Sequence, residues 1–199
     1  SNTILFKYSE VTAYSLPLIT IFSFIPMSIS TLSMPKLSKE NCIKIDDYIN
    51  KLIIICLIIS FYISSILFNF SENIMYLLYK TNNGSILVKK YVWFFIPFYF
   101  ISPFTTIFLS TNQSKIPFLI STFSHFIKLL LILLLPFISD DSLIISYIIS
   151  YNIIFISYYI LLKNKYKFKI NIKDIFFLIL ITFNINLIIY LFKTLNFNF

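Results

Sequence analysis

The sequence contains a single glycine, no arginine, and charged side chains at only 12% of its 199 positions. A soluble domain carries charge at roughly a quarter of its residues, because its surface must be hydrated. Here 58% of the residues are hydrophobic, and the charges are clustered between long uncharged runs. Such runs exclude a soluble domain and are typical of membrane spans.

Motifs typical of catalytic, metal-binding or nucleotide-binding sites are also missing. The two cysteines, Cys42 and Cys56, are too few for a disulfide framework or a zinc site. The sequence has no HExxH motif, no intramembrane pair of aspartates, no Ser/His/Asp grouping and no nucleotide-binding loop. An intramembrane glycosyl or acyl transferase would need such a constellation. We therefore predict that the protein is not an enzyme and holds no cofactor or metal.

Positive charge is carried by lysine alone. All 16 basic residues are lysines, the net charge is +8, and most of them lie at the ends of apolar runs. At those positions lysine sets membrane topology and contacts anionic headgroups. No polar surface interleaves basic with aromatic residues, so we exclude nucleic acid as a partner and expect the lipid bilayer instead. With one glycine and one alanine, serine and threonine become the small residues for contacts between helices.

Long apolar runs predict an all-α, polytopic transmembrane helix bundle with about six spans, forming a single lobe over residues 1–199. The predicted spans are residues 11–35, 52–71, 91–110, 116–138, 142–162 and 175–192. Residues 72–79 are too few to cross the bilayer and predict a short amphipathic helix at the interface. Prolines inside two spans predict kinks or interruptions. They are Pro17 and Pro26 in the first span, and Pro97 and Pro103 in the third.

Two predicted helix faces carry polar or aromatic stripes. Thr20, Ser23, Met27 and Ser30 recur at helical spacing along the first span. We favour a packing face against neighbouring helices, and the alternative is the wall of a water-filled cavity. Tyr147, Tyr151 and Tyr158 share one face of the fifth span and predict a packing stripe.

Lysine counts on the two sides of the membrane predict the orientation. The cytoplasmic side is predicted to carry the ten lysines Lys36, Lys39, Lys44, Lys51, Lys115, Lys163, Lys165, Lys167, Lys169 and Lys173, and the other side the five lysines Lys7, Lys80, Lys89, Lys90 and Lys193. The positive-inside rule then places loops 36–51, 111–115 and 163–174 in the cytoplasm, and both chain ends outside the cell membrane. An outside amino terminus without a signal sequence, in a chain that begins without Met, predicts a fragment with an odd number of spans missing upstream.

Lys128 is the one charged residue in the interior of a predicted span, where its insertion into the membrane is energetically unfavourable. It follows Lys115 by 13 residues, or roughly 20 Å of helix, which is too deep for easy access to the cytoplasmic side. A lysine near the midplane costs about 2.5–3.5 kcal/mol, so it should face protein or water. Together with His125 on the same face, it is the candidate site for a phosphate or pyrophosphate in a central cavity. The alternative is a lysine whose stem reaches the outer interface near Ser139, with His125 as a packing residue.

The order of short motifs resembles the polysaccharide-exporter branch of the multidrug/oligosaccharidyl-lipid/polysaccharide flippase superfamily. The resemblance covers about residues 8–180. The motifs are SLPL at 15–18, STLSMPKLS at 30–38, ENIMYLLY at 72–79, STNQSKIP at 110–117, FIKL at 126–129, IISY at 148–151 and INIK at 170–173. At 110–117 the family has a glycine-rich turn, and here the glycines are replaced. Lys128 matches a lysine position of the family.

The resemblance implies the carboxy-terminal lobe of a transporter whose partner is the missing amino-terminal lobe. It implies flipping of an undecaprenyl-pyrophosphate-linked oligosaccharide, or of a peptidoglycan or spore-cortex precursor, across the cytoplasmic membrane by alternating access. The alternative is a non-transporting assembly or scaffold protein, or a degenerate flippase fragment, because half of a rocking machine should not transport.

Overall fold

The computed structural model describes residues 2–39, 42–137, 139, 141–166 and 172–194. Within these residues the chain is helical almost throughout and contains no strand, which confirms the all-α prediction. The α-helices are α1 (Asn2–Ser9), α2 (Leu16–Ile21), α3 (Phe24–Lys39), α4 (Cys42–Tyr79), α5 (Ser85–Tyr91), α6 (Ile96–Ser110), α7 (Lys115–Leu134), α8 (Ser142–Lys165) and α9 (Ile172–Thr194). A π-helical segment, Glu10–Ser15, joins α1 to α2, and 3₁₀ turns cover Val92–Phe95 and Leu135–Phe137.

Four of the described helical stretches are long and apolar enough to cross a membrane, and the bent first helix makes five if it counts as one span. The four are Ile45–Tyr79, Ser85–Ser110, Lys115–Leu134 and Ser142–Lys165. They coincide with the second to fifth predicted spans. The sixth, 175–192, lies in α9, but among the described residues only the shorter stretch Ile179–Leu191 forms an apolar helix. The polytopic bundle is confirmed, with four or five spans where the sequence predicted about six.

The first span is bent, as its prolines predicted. Phe6–Ile21 and Phe24–Ser38 meet at an angle of 43°. Pro26 has no backbone N–H, so the carbonyl of Phe22, four residues earlier, cannot receive its usual helical hydrogen bond. Ile25 donates to that carbonyl instead, at 3.3 Å. In the third span, the 3₁₀ turn Val92–Phe95 comes just before Pro97, which lies in the first turn of α6, so the interruption predicted at Pro97 is confirmed. α6 continues through Pro103, so the interruption predicted at that proline is wrong.

The second span is longer than its apolar run. At 38 residues, α4 measures roughly 57 Å, which exceeds the thickness of a hydrocarbon core. A kink at Phe70, whose φ and ψ are −118° and 18°, divides α4 into two helices. A short helix therefore follows the second span, as predicted for residues 72–79, and its place at the membrane interface stays a prediction. Most of the predicted loop 36–51 is likewise helical, because α3 ends at Lys39 and α4 begins at Cys42.

α6 is the centre of the bundle, since it packs on α3, α4 and α8. Two apolar clusters fill the interior. One includes Phe104 and Tyr158, and the other includes Phe95 and Tyr99. α7 packs mainly on α8, and α9 packs on α4. The two peripheral helices therefore leave many apolar side chains exposed, and only α8 provides a broad contact surface for α7.

The single glycine fastens α5 to the π-helical segment. Gly84 has φ +82°, in the left-handed region that favours glycine. Its N–H donates to the Glu10 carboxylate at 3.1 Å, and its carbonyl accepts from the Ser15 hydroxyl at 3.1 Å. A Cβ at this position would stand 2.5 Å from the Ser15 Oγ. Both the backbone angle and the close approach therefore require glycine here.

Candidate functional site

Two serines fix the register of α7 on α8. The Ser124 hydroxyl donates to the Ser150 carbonyl at 2.7 Å, and the Ser150 hydroxyl donates to the Ser124 carbonyl at 3.2 Å. Both side chains are fully buried. Small residues let two helix backbones approach closely, and here serine performs that task and pairs the backbone at the same time. The predicted use of serine at helix contacts is confirmed.

This register brings Lys128 against Tyr147. Lys128 follows Ser124 by one helical turn and Tyr147 precedes Ser150 by nearly one turn, so in this antiparallel pair the two side chains meet. The Lys128 Nζ lies 4.4 Å from the centroid of the Tyr147 ring, a distance typical of a cation–π contact. Lys128 is half-buried. Among the residues that the structure describes, its ammonium is within ion-pair distance of no carboxylate.

The ring under Lys128 belongs to a chain of aromatic contacts that leads into the core. The Tyr147 centroid lies 5.9 Å from that of Tyr151, and Tyr151 packs at 4.6 Å on Phe98 and at 6.0 Å on Phe95. The predicted packing stripe on α8 is thus confirmed. Tyr158, its third member, is buried against Phe108. The sequence did not indicate that Tyr147 also contacts the lysine.

His125 is less enclosed than its predicted partner. Its side chain is exposed on α7, whereas Lys128 is half-buried toward α8. The two residues share a helix and differ in surroundings. Among the described residues, no three His, Cys, Asp or Glu side chains converge as a metal site would require. The assignment of Lys128 and His125 to a substrate site stays a prediction.

The polar stripe of the first span also contains both buried and exposed residues. Ser30 is fully buried, and its hydroxyl lies 3.4 Å from that of Ser102 on α6. Thr20 returns its hydroxyl to the carbonyl of Leu16 in its own helix. Met27 is exposed. One end of the stripe is therefore a packing face, as we favoured, and Met27 lies outside that face.

A charged cluster ties α5 to the start of α8. Lys90 Nζ lies 2.6 Å from the Asp141 carboxylate, and the Tyr91 hydroxyl donates to the same oxygen at 2.7 Å. Burial alone would raise the pKa of Asp141, but the two hydrogen bonds outweigh it and hold that pKa below its usual value. This contact brings the end of α5 next to the start of α8.

An asparagine anchors α9. The Asn186 Oδ1 accepts from the Ser65 hydroxyl at 2.8 Å and also from the Asn69 side-chain amide. Asn184, two residues earlier and therefore on a different face of the helix, is exposed and bonds to the Leu180 carbonyl of its own helix. The sequence showed two asparagines in this segment, but nothing in it indicated which one meets α4.

Comparisons with known proteins identify a distant relative. No protein-family model and no solved structure matches the chain. Stage V sporulation protein B of Bacillus subtilis (strain 168) is 26% identical over 133 residues, which is 65% of this chain and 26% of that protein. The chain thus spans about a quarter of the length of this curated relative. The similarity supports a distant relationship at the level of the flippase family that the sequence motifs resemble.

Proposed function

We propose that this chain is a helical lobe of a transporter that flips a lipid-linked sugar across the cytoplasmic membrane. The substrate class is an undecaprenyl-pyrophosphate-linked oligosaccharide or a peptidoglycan or cortex precursor. Lys128 is the observation that carries the proposal. Its ammonium lies along an apolar helix long enough to cross a membrane and contacts an aromatic ring. Among the residues that the structure describes, it forms no ion pair with a carboxylate.

The physical task explains why such a lysine is useful. A pyrophosphate headgroup must cross roughly 30 Å of hydrocarbon, where an unpaired charge is very costly. A fixed cation in a cavity between two lobes lowers that cost by pairing with the phosphate oxygens. Rocking of the lobes then exposes the cavity to one side at a time. The second lobe is the expected partner of this chain, and His125 is a further candidate contact to the headgroup.

Replacement of Lys128 tests the proposal. In the intact protein, Lys128→Ala should abolish complementation of a flippase-deficient strain while the membrane level of the protein stays unchanged. Lys163→Ala is the matched control, because Lys163 is exposed on α8 and also lies over a tyrosine, with Nζ 5.8 Å from the Tyr159 centroid. Normal complementation by Lys128→Ala would overturn the role of this lysine. Failure of the unaltered protein to complement would favour the scaffold alternative.

A further inference from the structure

We infer that Tyr147 is a positioning residue for Lys128: its ring holds the ammonium on the α7/α8 face, where it is free to pair with a phosphate. This inference rests on the proposed function, because it assigns a role to Tyr147 within the same site. It depends on three observations: the 4.4 Å separation of the Lys128 Nζ from the ring centroid, the packing of the ring on Tyr151, and the fact that the ammonium contacts an aromatic ring and not a carboxylate among the described residues.

The Lys128–Tyr147 contact depends on the register of the two helices and on the packing of the ring. The Ser124–Ser150 pair sets the distance and register of α7 on α8 close to the contact. Tyr151 supports the ring from within α8 and is itself packed on Phe98. A tyrosine anchored in this way keeps its face toward α7, so the position of the Lys128 ammonium is set by the core of the bundle.

The contact also fixes the depth of the charge. Tyr147 is five residues beyond Ser142, the first residue of α8, which corresponds to roughly 7.5 Å inside the end of that helix. This level is nearer the first residue of α8 than the middle of the helix, which lies roughly 18 Å from the same end. With its Nζ over the Tyr147 ring, Lys128 stays within the membrane-length part of the bundle.

An aromatic partner differs from a carboxylate in what it leaves available. A carboxylate neutralises the ammonium and occupies its N–H donors, so an incoming phosphate would have to displace it. The face of a ring attracts the cation through its quadrupole and leaves the positive charge in place. The Tyr147 contact therefore stabilises the charged lysine and keeps it ready for an anion.

The geometry can be measured without any ligand. In the full-length protein in lipid nanodiscs, lysines are converted to ¹³C-dimethyllysines, which keep their positive charge. The Lys128 signal is assigned from its loss in Lys128→Gln. Stacking on Tyr147 should shift its methyl protons upfield through the ring current. Tyr147→Phe should keep that shift and Tyr147→Leu should abolish it. An unshifted signal in the unaltered protein would overturn the inference.

Binding of inorganic pyrophosphate to the same protein, measured by calorimetry, tests the role of the contact. Tyr147→Leu should weaken binding by about tenfold, and Tyr147→Phe should change it less than twofold, because both aromatic rings attract cations. Lys128→Ala should abolish binding.

The outcomes separate the two proposals. Loss of binding in Lys128→Ala together with normal binding in Tyr147→Leu overturns the positioning role and leaves the proposed site standing. Equal weakening by Tyr147→Phe and Tyr147→Leu shows that the hydroxyl acts instead of the ring, and also overturns it. Binding that is unchanged in Lys128→Ala overturns the site itself, and the role of Tyr147 with it.

Discussion

Ser124 of α7 and Ser150 of α8 each donate a hydrogen bond to the backbone carbonyl of the other. The pair is fully buried, and Ser124 lies one helical turn before Lys128. Since α7 packs mainly on α8, the position of the candidate site depends on these two side chains.

Replacement of Ser150 should therefore change the α7/α8 contact in proportion to side-chain size. Ser150→Ala loses hydrogen bonds worth about 0.6 kcal/mol each in membrane helices and should lower stability slightly. Ser150→Leu forces the helices apart and should cost roughly 1–3 kcal/mol. Thermal unfolding in detergent measures both. Ser121→Ala is the control, because the Ser121 hydroxyl bonds only within α7, to Phe118. Equal effects of Ala and Leu at position 150 would contradict close packing there.

Gly84→Ala should destabilise the protein. Alanine at φ +82° costs roughly 1–2 kcal/mol in backbone conformation, and its Cβ would also meet the Ser15 Oγ at 2.5 Å. Adding Ser15→Ala should recover only part of the steric loss, because the Glu10 carbonyl oxygen at 3.1 Å and the Tyr14 Cβ at 3.2 Å remain, and because it removes the Ser15 hydrogen bond to the Gly84 carbonyl. Asn82→Ala, at an exposed position of the same turn, should be nearly neutral. Unfolding temperatures of the four proteins give the comparison, and an unchanged Gly84→Ala would refute the close approach.

The contact of Asp141 with Lys90 predicts a dependence of stability on acid pH. The pKa of Asp141 in the folded protein lies below its unfolded value of about 3.9. The contact therefore stabilises the fold above that pH, and the contribution is lost as the pH falls through the folded-state pKa. Asp141→Asn should be less stable than the unaltered protein at pH 7 and equal to it at low pH. Melting temperatures between pH 2 and pH 7 measure this. A constant difference across that range would contradict the prediction.

Asn186→Leu should loosen α9 from α4. The change removes the acceptor shared by Ser65 and Asn69, and should cost about 1–2 kcal/mol. Cysteines introduced on facing positions of the two helices should then cross-link more slowly. Asn184→Leu offers a matched control, since Asn184 is exposed and bonds within its own helix. If both variants behaved alike, the anchoring role of Asn186 would be wrong.

Helices and bends could be predicted where they depend on residues close together in the sequence. Apolar runs located the second to fifth spans, because the length of a membrane helix follows from bilayer thickness. Pro26 located the bend, because a missing N–H acts on the carbonyl four residues earlier. The short helix at residues 72–79 was predictable because hydropathy falls where it begins, and a kink at Phe70 separates it from the second span.

The sequence by itself determined a helical membrane bundle, its kinked first span and the presence of one costly lysine. Only the tertiary structure decided what that lysine meets. Contacts such as Lys128 with Tyr147, or Asn186 with Ser65, join residues far apart in the chain. They depend on the rotation and register of whole helices, which are set by packing between helices and leave no signature in a single apolar run.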